Sequence, residues 1–331
     1  MIIKFDNQET QIKEKLLNYL RNEKALFKEI VFPQYQVINL LSRDDNLKEN
    51  VKRNFSSLKI FNKDGYLLVS RKFQNEDTVI ELSEGLTIGD SFQIIAGPCS
   101  VEDEKTMDTI AKTLKKLNIK VLRGGTYKPR TSPYDFQGLE EEGLKRLSAV
   151  KEKDNLLVVS EILDHNLIDL YNQHVDIFQV GARNMQNYAL LKALAKKVSK
   201  PIILKRAANA TIYEWLMSAE YLMLGGNIKI ILCERGLKTI SEETRNTLDL
   251  SAVLALKKLT HLPVIVDPSH GSGRSDMIAG LSLASFVVGA SGVMIEVHPN
   301  PAQATSDGFQ AISLSALEEL VLKINKLKRC L

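Results

Sequence analysis

Four side chains of the kind that bind metals stand beside turn-forming residues at or near the ends of apolar runs. His270 follows Pro263-Val264-Ile265-Val266-Asp267-Pro268-Ser269, and Cys99 follows Ile94-Ile95-Ala96-Gly97-Pro98. Glu296 closes Val293-Met294-Ile295, and Asp307 sits in the downstream loop Ser306-Asp307-Gly308. If these ends meet, a thiolate, an imidazole and two carboxylates form a four-ligand site. Such a set suits one borderline divalent ion, with Mn²⁺ the first choice and Fe²⁺, Co²⁺ or Zn²⁺ the alternatives. Mg²⁺ or Ca²⁺ would favour oxygen ligands alone. Each residue also has a plain reading: Cys99 as a buried structural thiol, His270 as a helix cap. Cys233 and Cys330 read as core and tail residues. His165, His174 and His261 fall away from strand ends and read as solvated.

A second chemistry is anion binding. Arg123, Lys128, Arg130, Arg183, Lys205 and Arg235 follow other apolar runs. Crowded cations repel one another and need anions, and an arginine fork matches phosphate or carboxylate. The number suggests more than one anionic group. Glu161 ends the third run, Gly181-Ala182-Arg183 the fourth, Lys205-Arg206 the fifth, Glu234-Arg235 the sixth and Glu296 with His298 the eighth. All eight polar ends are expected at one mouth.

The elements that would place these residues are eight strands, at 92–96, 120–123, 156–161, 176–180, 201–205, 228–233, 263–267 and 292–297. They alternate with helices at 102–117, 139–153, 164–173, 186–197, 211–224, 249–259, 274–288 and 313–328. Continuous apolar runs are strands buried on both faces. Eight β/α units over roughly 240 residues predict a (β/α)8 barrel, with its site at the C-terminal strand ends. No Gly-x-Gly-x-x-Gly follows the first strand, which argues against a dinucleotide site. Residues 1–70 read β-α-β-β-α-β, a small ferredoxin-like α+β domain for packing, oligomerisation or ligand sensing. Residues 71–90 read as a polar linker, and 91–331 as the catalytic barrel. The fold class expected is therefore α/β, a TIM barrel preceded by a small α+β domain.

The chain has 331 residues, 44% apolar and 25% charged, with 44 basic against 40 acidic side chains. No basic arm is present, so nucleic acid is not the expected partner. Neither an apolar run long enough to span a bilayer nor a signal peptide is seen, and three scattered cysteines form no disulfide framework. A reduced, cytoplasmic location is expected.

The segments Ile95-Ala96-Gly97-Pro98-Cys99-Ser100-Val101-Glu102 and Arg123-Gly124-Gly125-Thr126-Tyr127-Lys128-Pro129-Arg130-Thr131-Ser132-Pro133 resemble one family. So do Gln179-Val180-Gly181-Ala182-Arg183-Asn184-Met185-Gln186-Asn187, Leu232-Cys233-Glu234-Arg235-Gly236, Asp267-Pro268-Ser269-His270 and Glu296-Val297-His298-Pro299. The family is 3-deoxy-D-arabino-heptulosonate 7-phosphate (DAHP) synthase, in the short beta subclass of type I. The resemblance implies condensation of phosphoenolpyruvate with erythrose 4-phosphate, the opening step of the shikimate route to aromatic amino acids. It implies phosphoenolpyruvate binding by Arg123, Lys128, Glu161, Ala182, Arg183, Lys205, Arg235 and His270. It places erythrose 4-phosphate on Lys128, Pro129, Arg130, Thr131 and Asp307, and a metal on Cys99, His270, Glu296 and Asp307. Lys128, Glu161, His270 and Cys99 are the implied catalytic residues. A regulatory, ACT-like role for residues 1–70, a homotetramer and feedback by an aromatic amino acid or pathway metabolite are further implications. Ala207-Ala208 stands where the family pattern has a glycine, which is expected to reshape that loop. The nearest rival is the sister enzyme that uses arabinose 5-phosphate to make 3-deoxy-manno-octulosonate 8-phosphate. That family reads Lys-Ala-Asn-Arg where this chain has Lys128-Pro129-Arg130-Thr131. A non-catalytic phospho-ligand-binding regulatory barrel is the rival of another class.

Overall fold

The computed structural model describes residues 1–330. The N-terminal unit runs β1 (Ile2–Asp6), α1 (Thr10–Asn22), β2 (Phe27–Val31), β3 (Tyr35–Leu40), α2 (Asp45–Asn54) and β4 (Lys59–Phe61). Its antiparallel sheet has the order β2-β3-β1-β4. Alternation along β1 sends Ile3 and Phe5 to one face, where Leu16, Leu17 and Leu20 of α1 and Leu47 and Val51 of α2 cover them. Ile2, Tyr35 and Val37 face the other way and join the larger core through Leu67, Leu68, Val69 and Phe73. The Lys4 ammonium lies between the rings of Tyr35 and Phe73, 4.5 and 4.6 Å from their centroids.

Residues 71–90, read as a linker, contain a hairpin instead. β5 (Ile80–Ser83) and β6 (Leu86–Ile88) turn through Gly85, whose φ of +73° suits glycine. Ile80 and Ile88 pack against Ile95, Val121, Val159, Ile177, Ile203, Ile231, Ile265 and Met294, one residue from each barrel strand. The hairpin therefore plugs the N-terminal end of the barrel. Its apolar residues Ile80, Leu82, Leu86 and Ile88 alternate with polar ones, but over strands of only four and three residues.

Eight parallel strands then close on themselves: β7 (Gln93–Gly97), β8 (Val121–Arg123), β9 (Leu157–Glu161), β10 (Ile177–Val180), β11 (Ile202–Lys205), β12 (Ile230–Glu234), β13 (Val264–Val266) and β14 (Gly292–Glu296). β14 pairs with β7 and seals the barrel. The outer helices are α3 (Glu104–Lys116), α4 (Glu140–Asp154), α5 (Ile168–His174), α6 (Tyr188–Lys197), α7 (Ile212–Leu224), α8 (Leu250–Leu259), α10 (Ser275–Val287) and α11 (Leu314–Leu327). Several of their starts carry side-chain caps. Asp103 caps α3, Ser313 caps α11, and Thr211 with Glu214 forms a capping box on α7. The helix expected from 164 opens as a 3-10 turn over His165–Leu167. An additional short helix, α9 (Pro268–Ser272), follows β13.

The segment joining the two units is held to the barrel by polar anchors. The Glu220 carboxylate of α7 accepts from the Leu68 and Val69 amides at 2.9 and 3.0 Å. His261, expected to be solvated, is buried. Its Nε2 donates to the Leu68 carbonyl at 2.8 Å, and its Nδ1 accepts from the Thr78 hydroxyl at 2.6 Å. Burial lowers its pKa from the ordinary 6.5. On acidification the unfolded chain takes up this proton first, so the stability it confers is complete above about pH 6.5 and declines as pH falls below that value. Urea denaturation across this range should show a steeper acid loss for the parent than for His261→Asn. Parallel pH profiles would remove this role.

Candidate functional site

The C-terminal strand ends open onto a cavity of about 520 Å³. Its wall includes Lys128, Arg130, Arg183, Lys205, Arg235, Lys238 and Arg245, together with Glu161 and His270. Among the described residues, Lys128, Arg183, Arg235, Lys238 and Arg245 form no ion pair. Arg130 lies 3.7 Å from Asp307, and Lys205 is paired with Asp267 at 2.5 Å. Burial lowers the pKa of Arg235, a residue only 8% exposed. Pro129, Thr131, Ala182 and Asp307 also line the cavity, as expected from the sequence.

Arg123, Cys99 and Glu296 lie beneath that wall. Gly97 brings them together. A Cβ there would stand 1.9 Å from the Arg123 carbonyl, so only glycine lets β7 approach the end of β8 this closely. The Arg123 guanidinium donates to Glu296 Oε1, while its Nε is buried without a partner. Burial alone would raise the Glu296 pKa, but the charges of His270, Arg123 and Lys128 outweigh it and bring it down to about 2. Glu296 Oε2 accepts from Gln310 at 2.8 Å.

His270 enters through α9. The Asp267 side chain caps this helix by accepting from the His270 amide at 2.9 Å, and it also accepts from His270 Nδ1 at 2.7 Å. Burial opposes the Asp267 charge, yet His270 and Lys205 hold the carboxyl well below the usual range. Because Asp267 accepts the Nδ1–H hydrogen bond, the Nε2 lone pair of the neutral ring is left facing Glu296 Oε1 at 3.4 Å. Two electron-rich atoms that close call for a cation between or beside them.

Cys99 contacts Asp307 at 3.1 Å, Ser306 at 3.1 Å and the Lys128 ammonium at 3.0 Å. Burial and the Glu296 charge push the thiol up to about 12, so it is a neutral donor here. The four expected metal donors thus meet as two pairs, Cys99 with Asp307 and His270 with Glu296. Among the described residues, no three such side chains are grouped tightly enough to hold an ion as they stand. The chemistry of the set fits a borderline divalent ion: a thiol beside a carboxylate, and an imidazole whose tautomer leaves Nε2 free.

Three expected members of the mouth point elsewhere. Arg206 pairs with Glu234 at 2.9 Å and Asp249 at 3.2 Å, under the face of Trp215. His298 bonds Glu102 and Asn300. The reason is the pleat, because adjacent residues at a strand end face opposite sides. Lys205 and Arg235 turn toward the cavity, while Arg206 and Glu234 turn toward the helices. Conversely, Lys238, Arg245, Asn209 and Gln310 were not singled out in the sequence. They lie on the connections after β11 and β12 and in a 3-10 turn after β14, where no periodicity marks an inward side chain. Ala207 and Ala208 line the cavity where a glycine was expected, and the Ala208 carbonyl accepts from the Lys238 amide at 2.7 Å.

Comparison with known proteins supports this architecture and chemistry. Residues 77–331 match the model of the DAHP synthetase I family. A phospho-2-dehydro-3-deoxyheptonate aldolase of Thermotoga maritima is 51% identical over 263 residues, covering 79% of this chain and 77% of the relative. A 2-dehydro-3-deoxyphosphooctonate aldolase of Fusobacterium nucleatum is more distant, 30% identical over 70% of this chain and 88% of its own. A crystal structure of Thermotoga maritima DAHP synthase superposes with a TM-score of 0.79 at 41% identity, covering 99% of this chain and 97% of that one. A truncated form of the Thermotoga enzyme covers 80% of this chain and 97% of its own, with a TM-score of 0.75 at 45% identity. With the barrel, the cationic mouth and these relatives in agreement, the chain belongs to the DAHP synthetase I family.

Proposed function

We propose that this chain condenses phosphoenolpyruvate with erythrose 4-phosphate and water to give DAHP and phosphate. The observation that carries this reading is the cavity wall, where five cations without ion-pair partners surround one opening. Two phosphates and a carboxylate are the anions such a wall calls for. The relative at 51% identity carries the matching name, and the arabinose-using sister enzymes are more distant.

Carbon 3 of phosphoenolpyruvate bonds to the aldehyde carbon, water adds at carbon 2, and cleavage of the carbon 2–oxygen bond releases phosphate. Arg183, Lys205, Arg235 and His270, with the backbone at Ala182, hold phosphoenolpyruvate. Arg123 supports this set from beneath while engaged by Glu296. Pro129, Arg130, Thr131 and Asp307 receive the four-carbon sugar phosphate. Lys128 stands between the two groups and protonates the alkoxide formed from the aldehyde oxygen. Glu161, steadied by the Gln179 amide at 3.0 Å, places the water that adds at carbon 2. Fixing both anions in one geometry removes much of the cost of encounter.

Metal dependence is general in this family. Cys99, His270, Glu296 and Asp307 would hold a divalent ion, Mn²⁺ by preference, with Fe²⁺, Co²⁺ or Zn²⁺ as alternatives. Bound there, it supplies Lewis-acid polarisation of a carbonyl or water oxygen. The reaction would open the shikimate route in the cytoplasm. The N-terminal unit would sense an aromatic amino acid or pathway metabolite within a homotetramer, and the anchoring of the joining segment to Glu220 of α7 supports this reading.

Purified protein should consume phosphoenolpyruvate with erythrose 4-phosphate, lose that activity to EDTA and regain it with Mn²⁺. Consumption with arabinose 5-phosphate alone would transfer the assignment to the sister enzyme. Tight phosphoenolpyruvate binding without turnover would indicate a regulatory barrel. Cys99→Ala should remain folded by circular dichroism yet show no Mn²⁺-restored turnover, and full activity would sink the thiolate assignment. Gly181→Ala tests Glu161, because a Cβ at that position would lie 1.9 Å from Glu161 Oε1 and must displace the carboxylate. Its kcat/KM should fall about 10²-fold with little change in melting temperature.

A further inference from the structure

Gln310 is fully buried, yet none of the steps above uses it. Its amide joins two groups of opposite charge. Nε2 donates to Glu296 Oε2 at 2.8 Å, and Oε1 accepts from Arg245 Nη1 at 3.1 Å. A carboxylate only accepts and a guanidinium only donates, so one orientation of the amide satisfies both. The other Glu296 oxygen is held by Arg123 and faces His270 Nε2. The Glu296 carboxyl is therefore fixed from both ends.

The main chain of the same residue reaches the second carboxylate of the proposed ion site. The Gln310 amide donates to the Asp307 carbonyl at 3.1 Å, closing the turn that Asp307 begins with a left-handed φ of +49°. Arg245, the outer partner, is exposed on the cavity wall. Its own amide donates to Ser272 at 2.8 Å, and the neighbouring Asn246 side chain donates to the His270 carbonyl at 3.1 Å. The loop after β12 thus touches three of the four proposed donors: Glu296 and Asp307 through Gln310, and His270 through Asn246.

We propose that Gln310 is a positioning residue for the ion-binding carboxylates and that Arg245 anchors it from the cavity wall. The inference rests on the metal reading given above. Partners that orient metal ligands typically govern affinity by about 10–100-fold. Gln310→Met keeps the length of the side chain and removes both hydrogen bonds. Arg245→Met removes only the anchor, at an exposed position that the core does not need.

The test is Mn²⁺ binding to the full chain without substrates, followed by the electron paramagnetic resonance signal of the free ion. Gln310→Met should weaken Mn²⁺ binding by about 10–100-fold. Arg245→Met should weaken Mn²⁺ binding less, in the same direction, and Gln310→Met should lose kcat more than it raises KM; Arg245 also lines the substrate cavity, so for that variant the substrate-free Mn²⁺ affinity is the readout. Parent-like Mn²⁺ affinity in both variants would overturn the inference, even if Gln310→Met melts at a lower temperature, because core filling alone predicts that combination. If Gln310→Met does not fold, the Arg245→Met affinity decides. Glu296→Gln separates the two layers of the argument. Parent-like Mn²⁺ affinity there would refute Glu296 as a ligand, whereas loss there with no change at Gln310 or Arg245 would refute only the positioning role.

Discussion

Everything at the mouth of this barrel depends on burying the Glu296 carboxylate while keeping it charged. A buried ion is tolerated only where partners replace the water it has lost. Glu296 accepts from Arg123 on one oxygen and from Gln310 on the other, and His270 Nε2 lies beside the first. His270 is held in turn by Asp267, and Asp267 by Lys205. The chain of contacts crosses β8, β14, β13 and β11, so the strands must close into a barrel before any of these charges is compensated. Removing one member would strand its neighbour at a cost of about 3–5 kcal/mol. Catalytic geometry and barrel closure are for that reason one problem in this fold.

Above this compensated layer lies an uncompensated one. Lys128, Arg183, Arg235, Lys238 and Arg245 reach the cavity without carboxylate partners of their own. Their mutual repulsion is tolerable while water fills the mouth, and it becomes favourable binding energy when phosphates enter. The division is physical: below, where water is excluded, Glu296 and Asp267 are paired with Arg123 and Lys205, and above, where substrates arrive, most of the cations have no carboxylate partner. Lys128 belongs to both layers, since its ammonium sits on the Cys99 sulfur and also lines the cavity.

The N-terminal unit meets the barrel through a different kind of contact. Glu220 and His261 satisfy backbone groups of the segment around Leu68, and Ile80 and Ile88 plug the barrel floor. The hairpin that carries these isoleucines reads as a linker because its strands are only four and three residues long and lie among polar residues such as Asn75, Glu76, Asp77 and Glu84. Burial of His261 was equally invisible. Its neighbours Thr260 and Leu262 say nothing of a partner at Leu68, nearly two hundred residues earlier in the chain.

By itself the sequence determined the eight alternating units, the small β-α-β-β-α-β unit before them, and the family. Periodicity and strand-end motifs are local, and hydrophobic burial reads them directly. It also identified the residue types at the mouth, because strand ends are marked by where apolar runs stop. Only the tertiary structure decided which neighbour of each pair faces inward. Lys205 and Arg235 face the cavity, while Arg206 and Glu234 turn outward to neutralise each other, since the pleat rather than the composition sets direction. It alone recruited Lys238, Arg245 and Gln310, whose loops carry no period and whose partners lie far away in the chain. A hydrogen bond such as that between Gln310 and Arg245 exists only once both loops have been folded over the same strand ends.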